Sequence, residues 1–395
     1  MTIRTLALLP LCFALPAGAQ QFALSVDAVG NCGAGNSTAK MITPDGRYSL
    51  FTTNASNLPI VGGGSSTGLI LYDHRQRTRT KLLPNSSANL VDVSGTTYVY
   101  LASSPSTIRV KNIASGVDLP ASTDAAGNLA NGTLGASFFV SSGARYVLFN
   151  ATSNNLVAND TNNRHDVFLK DMLTGAIKRV SERVGGGQLT DDSYALSITP
   201  DGSLYVFESR ISLVTGQPMT NASCFIVRNP SGEIVREIPA CGDGEISADG
   251  QSYFLTRNFP RSAYRVDIAS GVSTRIDFVE TNQLSNDNIG FGFSRDGKWL
   301  CWSTPIAYPG FNDMNNTADI YFRRLSDAAL FRASVNNTGI EANMGSTQCS
   351  IADGGSAVLF NSQATNFACT EPAGVGDNDV FLLDRDRILL GRFEP

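Results

Sequence analysis

Short apolar runs recur along the chain, each introduced by a polar turn. The clearest is Ile42-Thr43-Pro44-Asp45-Gly46-Arg47-Tyr48-Ser49-Leu50-Phe51: an apolar residue, a tight Asp-Gly turn, then a strand ending in an aromatic. Aligned on that turn, Asp45-Gly46, Asp201-Gly202, Asp249-Gly250 and Asp296-Gly297 match directly. Ser94-Gly95 and Gly354-Gly355 keep the glycine, and Gly143-Ala144 departs from both. Beyond each turn a fixed slot holds Phe51, Tyr100, Phe149, Phe207, Leu255, Trp302 or Phe360, preceded by Leu50, Val99, Leu148, Val206, Phe254, Cys301 or Leu359. Adjacent strand residues face opposite sides of a sheet. Two apolar neighbours therefore predict a strand buried on both faces.

A second signature closes most units. Leu71-Tyr72-Asp73, Val110-Lys111-Asn112, Leu169-Lys170-Asp171, Val227-Arg228-Asn229, Arg265-Val266-Asp267 and Leu382-Leu383-Asp384 each end a strand with Asp or Asn. Turns such as Leu173-Thr174-Gly175 and Ala269-Ser270-Gly271 follow. Asp and Asn bond the backbone two residues on, and Gly accepts positive φ, so these read as hairpin turns. The unit is strand, Asp-Gly turn, strand, longer loop, strand, Asx turn, strand. Its period of roughly 47–58 residues is that of a propeller blade. The prediction is an all-β fold: a seven-bladed β-propeller of four-stranded antiparallel blades.

The repeat resembles the TolB-type, WD-like β-propeller family, most closely over 42–58 and 140–181, and the resemblance covers nearly all of the chain after residue 20. TolB carries an N-terminal α/β domain, which is not expected here because the repeat begins soon after residue 20. The family specifies a fold far better than a function, since propellers host many activities.

Residues 1–19 read as a signal peptide: Arg4 at the basic end, an apolar run over 6–15, and Ala17-Gly18-Ala19 at the cleavage site. The rest, 20–395, is expected to be one propeller domain, periplasmic or secreted, without membrane insertion, and monomeric. Charged residues are 16% of the chain, with 37 Gly, which suits a turn-rich all-β protein. The net charge of −5 gives no reason to expect a nucleic-acid partner.

Phe22–Val26 is expected to close the ring in the last blade beside a strand at Ile388–Phe393, in an order the sequence leaves open. Export permits disulfides. Cys224 opens one strand and Cys241 ends the next, so these two are expected to pair. Cys349 and Cys369 enter the last blade on one side and form a second candidate pair. Cys301 falls in a buried strand slot as a free core thiol, and Cys32 stays unassigned.

The loops between second and third strands concentrate polar groups. One holds Asp160, Asn162 and Asp166, another Asp313, Asn315 and Asp319, both as Asp-x-Asn-x-x-x-Asp. Such oxygens suit a hard cation, so calcium is a candidate ligand. Turn and strand capping by Asx side chains is the preferred reading. His74 and His165, the only histidines, occupy different repeat positions and are placed on surface loops. No residue is assigned a catalytic or cofactor-binding role. Two functions remain: a scaffold that binds a protein or cell-envelope partner through its loops and channel mouth, and, in competition, a polysaccharide lyase or hydrolase with a site in the central channel.

Overall fold

The repeated turn is a closed hydrogen-bond motif, which explains its sequence. Thr43 Oγ1 donates to Asp45 Oδ1 (2.6 Å), the same oxygen accepts from Arg47 N (3.0 Å), and Tyr48 N donates back to Thr43 Oγ1 (3.0 Å). Thr199 with Asp201, Ser247 with Asp249 and Ser294 with Asp296 repeat it. The glycine after each Asp takes positive φ, for example +72° at Gly46. In the third and seventh blades the turn is a single 3-10 turn, Ser142–Ala144 and Asp353–Gly355, the helical segments found among the described residues.

The computed structural model describes residues 15, 19–83, 88–90, 97–257, 262–277, 289–367, 369 and 377–385. They form seven antiparallel four-stranded sheets, a seven-bladed β-propeller. Six blades take four strands in chain order. The seventh combines Ser346–Ile351, Ala357–Ser362 and Asp379–Asp384 with the N-terminal Gln20–Ala23 as its outer strand. That strand pairs directly with the third strand, Phe22 opposite Leu382. The expected strand at 388–393, the Ser94-Gly95 turn and most of the proposed signal peptide lie outside the described residues.

Second strands are buried on both faces, as in Trp299–Thr304, where every residue is buried. Each core lies between blades: Leu148 and Val167 of the third pack on Ala195, Phe207 and Phe225 of the fourth, while Phe149 and Phe168 meet Val99 and Ile108 of the second. Each buried aromatic contributes about 2–3 kcal/mol by leaving water. First strands of neighbouring blades pack on one another, such as Leu134–Val140 on Ser193–Ile198, and so surround the axis. Connectivity places the Asp-Gly and Asx turns at one end of the ring. The second-to-third-strand loops and the inter-blade connections share the other.

Side chains seal the closure. Asn361 Nδ2 donates to Ser37 O (2.6 Å), Ala39 N donates to Asn361 Oδ1 (2.8 Å), and Arg79 Nε reaches Leu24 O (2.9 Å). Three disulfides are present among the described residues: Cys224–Cys241, Cys32–Cys369 and Cys301–Cys349. The pairing of Cys349 with Cys369 is therefore corrected, and Cys301 is not a free thiol. Cys301, on a second strand, faces Cys349 on the first strand of the next blade. Cys369 instead meets Cys32 in the connection that follows the N-terminal strand.

Candidate functional site

The loops carrying the candidate metal ligands end in a buried carboxylate that opens the third strand. Asp166, Asp319 and Asp379 accept from the hydroxyls of Ser181 (2.6 Å), Ser334 (2.5 Å) and Ser25 (2.5 Å), which follow the fourth strands. The same serine oxygens accept from the next backbone amide, that of Val167, Ile320 or Val380. Each Asp–Ser pair thus latches a blade's outer strand to its third strand at the loop end.

In blades three and six an arginine completes the arrangement. Arg179 Nη1 lies 3.6 Å from Asp160 and 3.7 Å from Asp166, with Nη2 3.2 Å from Glu182. Arg332 Nη1 lies 3.3 Å from Asp319 and 3.0 Å from Glu341, and donates to Asn312 O at 3.1 Å. Burial raises the carboxyl of Asp166 to about 6 and that of Asp319 to about 7, against the pull of hydroxyl and arginine. Asp160 is raised for the same first cause.

The asparagines are structural. Asn162 Nδ2 donates to Asp166 Oδ2 (3.2 Å) and Leu189 O (2.9 Å), and its Oδ1 accepts from Arg164 N. Asn315 Nδ2 donates to Ala342 O (2.6 Å) and its Oδ1 accepts from Thr317 N. Asp313 Oδ1 caps Asn316 N at 3.0 Å. Carboxylate oxygens of Asp313, Asp319 and Glu341 lie within 4.8 Å of one another, close enough to hold an ion. The Arg332 guanidinium already serves two of the three carboxylates, Asp319 and Glu341. Sequence reading missed Arg179, Arg332, Glu182 and Glu341. The signal was available in the recurring Arg179-Val180-Ser181 and Arg332-Ala333-Ser334, each beginning on the last residue of a fourth strand.

The histidines lie at opposite ends of the ring. His74, placed on a surface loop by sequence, is in fact buried, with Nε2 2.8 Å from Ser49 Oγ and its ring edge-on to Tyr72. Burial depresses its pKa to about 3. His165 precedes the third strand of blade three; its N–H donates to Asp192 Oδ1 (2.8 Å), and its ring lies 5.9 Å from that of Tyr194. First strands expose Lys40, Tyr194, Glu245 and Gln348. Protein surrounds Glu245 even where its side chain meets solvent, and this desolvation raises its carboxyl. Neither histidine joins these groups.

No family model matches the chain, and no curated protein matches it. Solved structures do. An oligogalacturonate lyase in complex with manganese is 12% identical, over 95% of this chain and 96% of that one, with a TM-score of 0.57. The oligogalacturonate lyase from Vibrio parahaemolyticus is 13% identical, over 94% and 95%, with a TM-score of 0.54. TolB from Acinetobacter baumannii is 14% identical over 76% of this chain and 67% of its own, with a TM-score of 0.41. At these identities the likeness is one of fold: the chain is a seven-bladed β-propeller, and no finer family is assigned.

Proposed function

We propose that this protein is an exported binding scaffold that holds a protein or cell-envelope partner on the loop end of its ring. The observation that carries this reading is where the large apolar side chains stand exposed. Of thirteen such side chains among the described residues, eight lie on second-to-third-strand loops or inter-blade connections, including Val29, Val61, Val184, Met314 and Ile340. Loops on a rigid frame are where binding groups usually sit, and exposed apolar side chains there support that end as the interaction surface. Asp160, Asp166 and Asp319 are already engaged by arginine or serine. Three disulfides support an oxidising compartment, hence export and the removal of 1–19 as a signal peptide.

Site-specific photo-crosslinking in native cells tests the proposal. A crosslinker at Val184 or Ile340 should give an adduct of one discrete mass, and one at Leu173, exposed at the turn end, should give none. Adducts from Leu173 alone, or turnover of oligosaccharides into unsaturated products, would reject it in favour of the other end or of the lyase reading.

A further inference from the structure

We propose that the loops of blade six and the connection into blade seven form one docking patch for a basic, apolar peptide segment. This rests on the binding-scaffold reading and names the partner's chemistry. Met314 is 82% exposed, Ile340 60% and Met344 45%. They come from two segments joined by side-chain hydrogen bonds. Met314 N donates to Glu341 Oε2 (2.9 Å), and Asn315 Nδ2 to Ala342 O (2.6 Å). Asn336 Oδ1 accepts from Thr338 N (2.9 Å) and Ile340 N (3.0 Å), fixing the turn that presents Ile340. Asn343, beside Met344, exchanges hydrogen bonds with Thr365: its Nδ2 donates to Thr365 Oγ1 (2.8 Å) and its Oδ1 accepts from Thr365 N (2.9 Å).

Beneath them, Glu341 Oε1 meets Arg332. The Arg332–Glu341 pair thus ties the backbone at Met314 to the segment that carries Ile340. A patch ordered before binding spends little entropy on association. Methionine fits apolar partners of varied shape.

Charge selects the occupant. The loop segments 305–318, 335–345 and 363–367 contain no lysine or arginine, and the carboxylates of Asp313, Asp319 and Glu341 outnumber the one guanidinium, that of Arg332, paired with two of them. Arg332 is itself buried and paired. An apolar segment bearing lysine or arginine complements this field and an acidic one is repelled.

The test uses two labelled twelve-residue amphipathic peptides, one of Leu and Lys, one of Leu and Glu, in fluorescence anisotropy with the whole protein at low salt. The Leu/Lys peptide should bind at least tenfold more tightly. The Met314→Ser/Ile340→Ser double variant should lose tenfold or more of that affinity with an unchanged melting temperature, and Val184→Ser should lose none. Equal binding of the two peptides, or no binding, overturns this proposal and leaves the crosslinking test of the scaffold reading intact. Loss through Val184→Ser alone overturns the patch while supporting the loop end as the binding surface.

Discussion

Arg332 and Asp319 form an ion pair at 3.3 Å in which both side chains are at least nine-tenths buried. Their partner Glu341 places a second carboxylate against the same guanidinium. Removing one member of a buried pair strands the others and costs about 3–5 kcal/mol. Arg332→Ala should therefore destabilise the protein by that order. It should also free three close carboxylates to take calcium, so that millimolar calcium restores part of the loss. Wild-type melts in calcium and in chelator should superimpose. A calcium-dependent rise in the wild type, abolished by Asp313→Ala, would overturn the view of arginine as the resident cation.

The disulfides differ in what they tie. Cys32 and Cys369 are 337 residues apart and join the N-terminal connection to the last blade. Cys224 and Cys241 are 17 apart within one blade. In the chain-entropy form the long closure contributes about 5–6 kcal/mol and the short one about 3. The Cys32→Ala/Cys369→Ala variant should accordingly lose more stability than Cys224→Ala/Cys241→Ala in denaturant titrations. Equal losses would count against an entropic origin. Non-reducing peptide mapping checks the three pairings directly.

The fold was legible because its cause is local and repeated. The Thr43–Asp45 turn bonds and the doubly buried slot of Phe51 or Trp302 need only neighbours in sequence. The N-terminal strand was also readable as the closing element, although not its direct pairing with Asp379–Asp384. The site was less legible. Asp160, Asp166, Asp313 and Asp319 stand out in sequence, but their partners Arg179 and Arg332 arrive from fourth strands and Glu341 from beyond the blade. Cys301 looked like a free thiol for the same reason: its partner is on the next blade, and no within-blade pattern points to it.

His74 should give the protein an acid-sensitive component. Its folded pKa of about 3 lies below its ordinary 6.5 because burial disfavours the imidazolium. Between those values the unfolded chain binds the extra proton. The neutral imidazole therefore contributes stability that is full above about pH 6.5 and is lost as pH falls towards 3. By linkage the loss from pH 6.5 to 4.5 is on the order of 2–3 kcal/mol. His74→Gln should cost about 1 kcal/mol at pH 7.5, through the Ser49 bond. Its deficit against wild type should shrink or reverse by pH 4.5. A constant difference across that range would show that His74 does not titrate on unfolding.

Two glycines of the first-to-second-strand turns, Gly143 in the Asp slot and Gly202 in the glycine slot, separate conformation from packing. Gly143 and Gly202 both sit at the first-to-second-strand turn, with φ of +65° and +70°. A Cβ on Gly143 would meet nothing within 4 Å, whereas one on Gly202 would run into the Tyr146 ring of the preceding blade. Gly355 stands in the same relation to Trp299. Alanine in the left-handed region costs about 1–2 kcal/mol by itself, and overpacking adds roughly 1–3 kcal/mol. Gly143→Ala should thus show the conformational cost alone, and Gly202→Ala that cost plus the displacement of Tyr146. Chemical denaturation of the two variants measures the gap directly. If they lose the same stability, the turn glycine is required only for its φ. If Gly202→Ala loses clearly more, the glycine also serves as the seat on which one blade rests its aromatic against the next.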